Sequence, residues 1–148
     1  MKKIIAVLAF LFVLAAGAFG QMDDPQSVSD YIIRGHTYLM QDDYNRAIAD
    51  FTQAIRIDPN NELAYIAYSN RGYAYLQKGD YDIAIADCTQ AIRLFPDFFI
   101  SPYINRGFAY MYEGNYRQAY ADAERALQID PYNQRAQRLF AELQSRGY

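Results

Sequence analysis

From Ser29 onward, apolar and small residues recur at three- and four-residue spacing, the period of a helix that buries one face. The pattern predicts helices near 25–41, 44–57, 62–78, 81–94, 101–113, 116–129 and 133–145. The tyrosines and isoleucines would suit strands, but the strict alternation of a half-buried strand is absent. The helices break at Asp42-Asp43, Gly79-Asp80 and Gly114-Asn115. Glycine supplies the left-handed residue that ends one helix, and Asp or Asn caps the next. Asp24-Pro25 suits the start of the first helix and Ser101-Pro102 a fresh start for the fifth, each as N-cap followed by the first helical residue. Gln21 to Ser29 reads as a polar leader.

The pattern repeats itself. Gly35-His36-Thr37-Tyr38, Gly72-Tyr73-Ala74-Tyr75 and Gly107-Phe108-Ala109-Tyr110 are near copies. Each is followed by an alanine-rich stretch that ends in Pro59, Pro96 or Pro131. The intervals between the glycines are 37 and 35 residues, the extra residues falling near Asn61 to Ala64 and near Phe98-Phe99. The first insertion has nearly the length that would extend the following helix by a turn. A unit of this size cannot bury its own apolar face; stacked copies make a core and a long curved surface. That surface implies a binding scaffold.

These residues resemble the tetratricopeptide repeat, a unit of about 34 residues folded as two antiparallel helices. The small residue of its first helix falls on Gly35, Gly72 and Gly107, and the aromatic one turn on falls on Tyr38, Tyr75 and Tyr110. The small residues of its second helix fall on Ala47, Ala84 and Ala119, and again on Ala54, Ala91 and Ala126. Pro59, Pro96 and Pro131 stop the units. The resemblance covers residues 30–131, in units of about 30–61, 62–98 and 99–131. It implies an all-α fold, a right-handed superhelical solenoid of helix-turn-helix repeats. Residues 132–148 then read as a C-terminal capping helix, with Ala136, Leu139, Phe140 and Leu143 facing inward and Gln137, Arg138, Glu142 and Gln144 facing water. The sharper alternative is a dimerisation helix. One departure recurs: Arg34, Arg71 and Arg106 stand where the family has an apolar residue, and each unit carries Asp50, Asp87 or Asp122 in its second helix. The hairpin should bring each Arg to its own Asp, the alternative being unrelated surface charges.

The resemblance places the first helices on the concave face. Helical spacing there selects Ile32, His36 and Met40 in the first unit. It selects Ile66, Ser69, Asn70, Tyr73 and Gln77 in the second, and Ser101, Ile104, Asn105, Phe108 and Tyr112 in the third. The candidate partner-binding residues are His36, Met40, Ser69, Asn70, Tyr73, Gln77, Asn105, Phe108 and Tyr112, with Tyr73, Phe108 and Tyr112 foremost. The blander reading is packing between units, above all for Ile32, Ile66 and Ile104. The surface is neutral and aromatic, suited to an apolar or aromatic peptide or an amphipathic helix. Some family members grip chaperone C-terminal carboxylates with two Lys, one Arg and two Asn. That clamp would need cations at Ile32, Ser101 and Asn105 and an asparagine at His36. Only Asn70 agrees, so the clamp is not expected.

The first twenty residues change the picture of location. Met1-Lys2-Lys3 is basic, Ile4 through Phe19 is apolar or small, and Ala18-Phe19-Gly20 puts small residues two apart. This is the layout of a secretory signal peptide cut before Gln21. The alternative is an uncleaved membrane anchor, for which the run is short. The expectation is an exported protein, periplasmic or extracellular in a bacterium. Without Lys2 and Lys3, 12 of the 14 basic residues remain against 17 acidic ones, a formal charge of −5. An acidic body of this kind argues against nucleic acid and against docking on an anionic membrane.

Candidate chemistry is sparse. One Cys, Cys88, and one His, His36, preclude an intramolecular disulfide and a His/Cys zinc cluster. Cys88 should pack inward on a second helix and His36 should lie on the concave side of another unit, out of reach as a nucleophile–base pair. Asp23-Asp24 and Asp42-Asp43 fall where aspartate caps helices, and neither a calcium loop nor a phosphate-cradling glycine loop appears. No catalytic residue, cofactor or metal is expected. The reading is an exported, non-catalytic adaptor that holds a protein or peptide. Its alternatives are self-assembly as a homo-oligomer, or a substrate-receptor subunit of an envelope enzyme.

Overall fold

A computed structural model describes residues 27–60 and 62–148. Among these residues the chain is all helical: α1 (Val28–Met40), α2 (Tyr44–Ile57), α3 (Ala64–Lys78), α4 (Tyr81–Leu94), α5 (Ser101–Tyr112), α6 (Tyr116–Ile129) and α7 (Gln134–Ser145). The signal segment, most of the leader and Asp24-Pro25 lie outside the described residues.

Local chemistry sets the helix ends. Ser27, in extended backbone, caps α1: its hydroxyl accepts from the Asp30 amide at 3.2 Å, and the Asp30 carboxylate accepts from the Ser27 amide at 3.1 Å. The N-cap of this helix is Ser27. Gly79 and Gly114 adopt left-handed backbone at φ 83° and 81°, and Asp42 takes the same place in the first unit at φ 56°. Asp43 caps α2 by accepting from the Arg46 amide at 3.0 Å. Asp80 and Asn115 occupy the equivalent positions, but their side chains make no capping bond. Helix α5 takes Ile100 as its N-cap, so Ser101 and Pro102 are its first two helical residues and the helix starts one place earlier than a Ser101 cap would have it. Helix α3 takes up part of the insertion before Ala64: it has 15 residues against 13 in α1 and 12 in α5.

The helices stack in chain order. Each packs on the next, and the first helices also touch in succession, α1 on α3, α3 on α5 and α5 on α7. That second set of contacts makes the first helices the inner row. Small residues permit the spacing. A Cβ built on Gly35 would lie 2.8 Å from Phe51 Cε1, on Gly72 2.7 Å from Cys88 Sγ, and on Gly107 2.6 Å from Leu139 Cδ2. Ala47, Ala84 and Ala119 face them with no exposed surface. Pro59, Pro96 and Pro131 each follow the C-cap of a second helix, after Asp58, Phe95 and Asp130. Helix α7 buries Ala136, Leu139 and Leu143 against the third unit.

Each recurring arginine forms a two-pronged bridge to the aspartate of its own unit. Arg34 reaches Asp50 with both bonds at 2.8 Å, Arg71 reaches Asp87 at 2.7 and 2.8 Å, and Arg106 reaches Asp122 at 2.8 and 2.7 Å. Each also lies over the tyrosine three residues earlier: Tyr31, Tyr68 and Tyr103. Arg71 and Arg106 spend a further donor on the preceding unit, to Thr52 Oγ1 and Thr89 Oγ1, both at 3.0 Å. The arginines thus join the two helices of a hairpin and then join that hairpin to its neighbour.

Candidate functional site

The inner row opens into a cleft of ≈ 270 Å³. Helix α3 contributes Tyr73, Leu76 and Gln77, α5 contributes Phe108 and Tyr112, and α7 contributes Arg135 and Arg138. The rings run along one wall: Phe108 and Tyr112 stack with centroids 6.3 Å apart, and Tyr112 meets Tyr81 at 5.3 Å. Arg135 crosses this space. Its Nη2 donates to Asn105 Oδ1 at 2.9 Å, and its guanidinium carbon lies 5.6 Å from the Tyr73 ring centre. Arg135 is exposed at the mouth of the cleft, where partial desolvation pulls its pKa below the ordinary value against the opposing influence of Tyr73.

Of the residues selected by helical spacing, Tyr73, Gln77, Phe108 and Tyr112 come together at this cleft. Tyr112 is 55% exposed, whereas Phe108 is only 8% exposed and packs into the core beneath α7. Phe108 is therefore a floor residue and not the freely exposed aromatic expected. Asn105 and Ser69 are buried, Asn105 beneath the Arg135 guanidinium; neither offers open surface. Asn70 is half-buried on α3, outside the cleft lining. His36 and Met40 belong to α1 and do not join the lining. Burial lowers the His36 pKa below its ordinary value, and Met40 projects 74% exposed from the helix end. Ile32 and Ile104 are core, and Ile66 packs partly against two clusters, so spacing alone overextended the groove at those positions.

Arg135 and Arg138 were missed. They lie on the capping helix, where no second copy exists for comparison, and Arg138 reads there as a water-facing residue. Their one sequence signal is their separation of three residues, which places them on the same side of α7. A second cleft of ≈ 340 Å³ lies at the turns, between Gln41–Asn45 and Lys78. It is open and shallow, and its polar groups pair with one another: Lys78 Nζ donates to Asn45 Oδ1 at 2.7 Å and the Tyr44 hydroxyl to Asp42 Oδ1 at 2.8 Å.

The Cys88 thiol is fully buried, and burial drives its pKa far above the ordinary thiol value, which makes it inert as a nucleophile. Among the described residues, no three His, Cys, Asp or Glu side chains converge as a metal site. What the arrangement offers is a concave aromatic surface with two guanidiniums at one end. The tetratricopeptide repeat family model matches residues 30–61, 65–98 and 101–133.

The chain belongs to the tetratricopeptide repeat family. No curated protein matches it. Solved structures of this family resemble it closely. The first such domain of Spaghetti (RPAP3), bound to the HSP90 peptide SRMEEVD, is 27% identical with a TM-score of 0.75, covering 86% of this chain and 98% of that one. The second such domain of human RPAP3, in complex with the HSP70 peptide SGPTIEEVD, is 31% identical with a TM-score of 0.70, covering 77% and 92%. The Arabidopsis OM64 domain is 26% identical with a TM-score of 0.75, covering 80% and 94%. This tetratricopeptide repeat chain therefore shares the fold of modules solved with a peptide bound.

Proposed function

We propose that this repeat protein holds a segment of another protein in the cleft between α3, α5 and α7, and performs no chemistry on it. The observation that carries the reading is the aromatic, concave lining of Tyr73, Phe108 and Tyr112. It sits on the inner row of a fold whose solved relatives were determined with peptides bound. The test is a substitution that strips the cleft without touching the core. Tyr73→Ala with Tyr112→Ala should abolish binding of peptides that the natural chain takes from an array, with far-ultraviolet circular dichroism unchanged. Phe108 is left in place because its removal would also open the core. Undiminished peptide binding in the double variant would place the partner surface elsewhere.

The same protein is exported in this proposal, on the strength of Lys2, Lys3, the apolar run to Phe19 and the small residues before Gln21. Cell fractionation and the intact mass of the purified chain test it. A chain starting near Gln21 outside the cytoplasm is expected; a full-length chain in the cytoplasm would overturn it.

A further inference from the structure

Among the described residues, arginines that lie over a tyrosine ring also hold a carboxylate, with one exception. Arg34 holds Asp50, Arg46 holds Asp43, Arg71 holds Asp87, Arg106 holds Asp122 and Arg146 holds Glu142. Arg135 lies over Tyr73 and has only the neutral Asn105 carbonyl oxygen. A guanidinium carries five donors, so most of those on Arg135 stay available. Arg138 lines the same cleft and is in no ion pair among the described residues. Two like charges one helical turn apart repel each other, and the cleft lining contains no acid to offset them. This local excess of positive charge stands out on a chain whose net charge is −3.

We propose that Arg135 and Arg138 receive the carboxylate of an internal Glu or Asp in an extended segment of the partner. An apolar or aromatic neighbour of that residue rests on Phe108 and Tyr112. The inference rests on the cleft being the binding surface and adds the chemistry of the occupant. Guanidinium forks suit a carboxylate because two parallel N–H bonds match its two oxygens. The acid is a side chain and not a chain terminus. The cations come from α7 beside the aromatic wall, while Ile32, Ser101 and Asn105 occupy the positions where relatives of the clamp type carry theirs. Asn105 is moreover buried and committed to Arg135.

The probe is an array of acetylated, amidated peptides in matched pairs, with Glu or Gln at the centre and Leu, Phe or Tyr beside it. A third set carries the Gln centre with a free C-terminal carboxylate. Affinities are read by fluorescence anisotropy for the natural chain, Arg135→Gln, Arg138→Gln and the Tyr73→Ala, Tyr112→Ala double variant. The natural chain should prefer Glu over Gln by about tenfold or more, the effect of one charge-assisted hydrogen bond. Added salt should reduce the preference. Arg138→Gln should remove most of it without moving the thermal midpoint, and this variant decides the matter if Arg135→Gln loosens α7. Equal affinity for Glu and Gln would overturn acid recognition while leaving the cleft as a peptide site. Binding of the free-terminus set alone would replace the side chain by a terminal carboxylate and overturn the proposal. Binding indifferent to the arginine and tyrosine substitutions alike, or no binding to any set, would overturn both the proposal and the cleft reading.

Discussion

Removing Asp87 should unfasten the middle of the solenoid. Its carboxylate accepts from Arg71 Nε at 2.7 Å and from Nη2 at 2.8 Å, and the side chains are 6% and 17% exposed. In Asp87→Ala both charge-assisted bonds disappear, and the guanidinium keeps only Thr52 and the Tyr68 face. Breaking a fully buried pair by removing one partner costs about 3–5 kcal/mol. Because Arg71 retains some water and one hydroxyl partner, about 2–4 kcal/mol is expected here. The converse substitution, Arg71→Met, strands the more deeply buried carboxylate and should cost at least as much. Combining the two leaves no orphaned charge, so the double variant should be more stable than the sum of the single losses by about 1.5–3 kcal/mol. Equilibrium urea unfolding followed by helical circular dichroism measures all four corners of the cycle, with the denaturant slope checking that unfolding remains cooperative. Strict additivity, or an Asp87→Ala loss below about 0.5 kcal/mol, would refute the view that these bridges fasten hairpins together.

Two other substitutions probe the close approach of helices and the acid response. An exposed helical Gly→Ala change gains about 1 kcal/mol, but Gly72→Ala should lose about 1–2 kcal/mol because its Cβ meets Cys88 Sγ at 2.7 Å and the Ala84 carbonyl at 3.2 Å. Adding Cys88→Ala should return part of that loss, and a stabilised single variant would show that α3 and α4 have room to spare. At Asp97, the side-chain bond from Arg125 and that from Tyr103 hold the carboxyl below its ordinary value of 3.8. Its stabilising contribution is therefore present above 3.8 and lost as pH falls through the lower, folded-state value. Thermal midpoints of the natural chain and Asp97→Asn should differ above that range and converge in acid; a constant gap would exclude the linkage.

The hairpins could be read from the chain because each rule is printed three times. A glycine one turn before a tyrosine, an alanine facing it and a proline at the end are local demands. Repetition separates them from chance, as it does for the Arg34, Arg71 and Arg106 bridges. The misreadings fall where the copies differ. Asp42 adopts the left-handed turn that Gly79 and Gly114 occupy elsewhere, with no glycine to signal it. Asp80 and Asn115 resemble caps in sequence, yet only Asp43 closes the bond. The length inserted before Ala64 exceeds that before the third unit, and the repeat does not say how it divides between the turn and α3, which is the longest of the first helices.

The cleft was half legible for a related reason. Spacing along α5 treats Phe108 and Tyr112 alike, since they lie one turn apart on the same side. Helix α7 separates them: Leu139 fills the gap over Gly107, Phe108 sinks beneath it, and Tyr112 remains open. The same docking sets the rotation of α7, and that rotation aims Arg135 over Tyr73 and onto Asn105. A capping helix is required to cover the apolar face of the last repeat, but that requirement fixes only its inner stripe. It leaves the other residues of α7 unspecified, and two of them are arginines that border the cleft. At this end of the solenoid, Arg135 and Arg138 border the cleft while Ala136, Leu139 and Leu143 cover the last repeat, so the charged side chains can be exchanged without disturbing the packing.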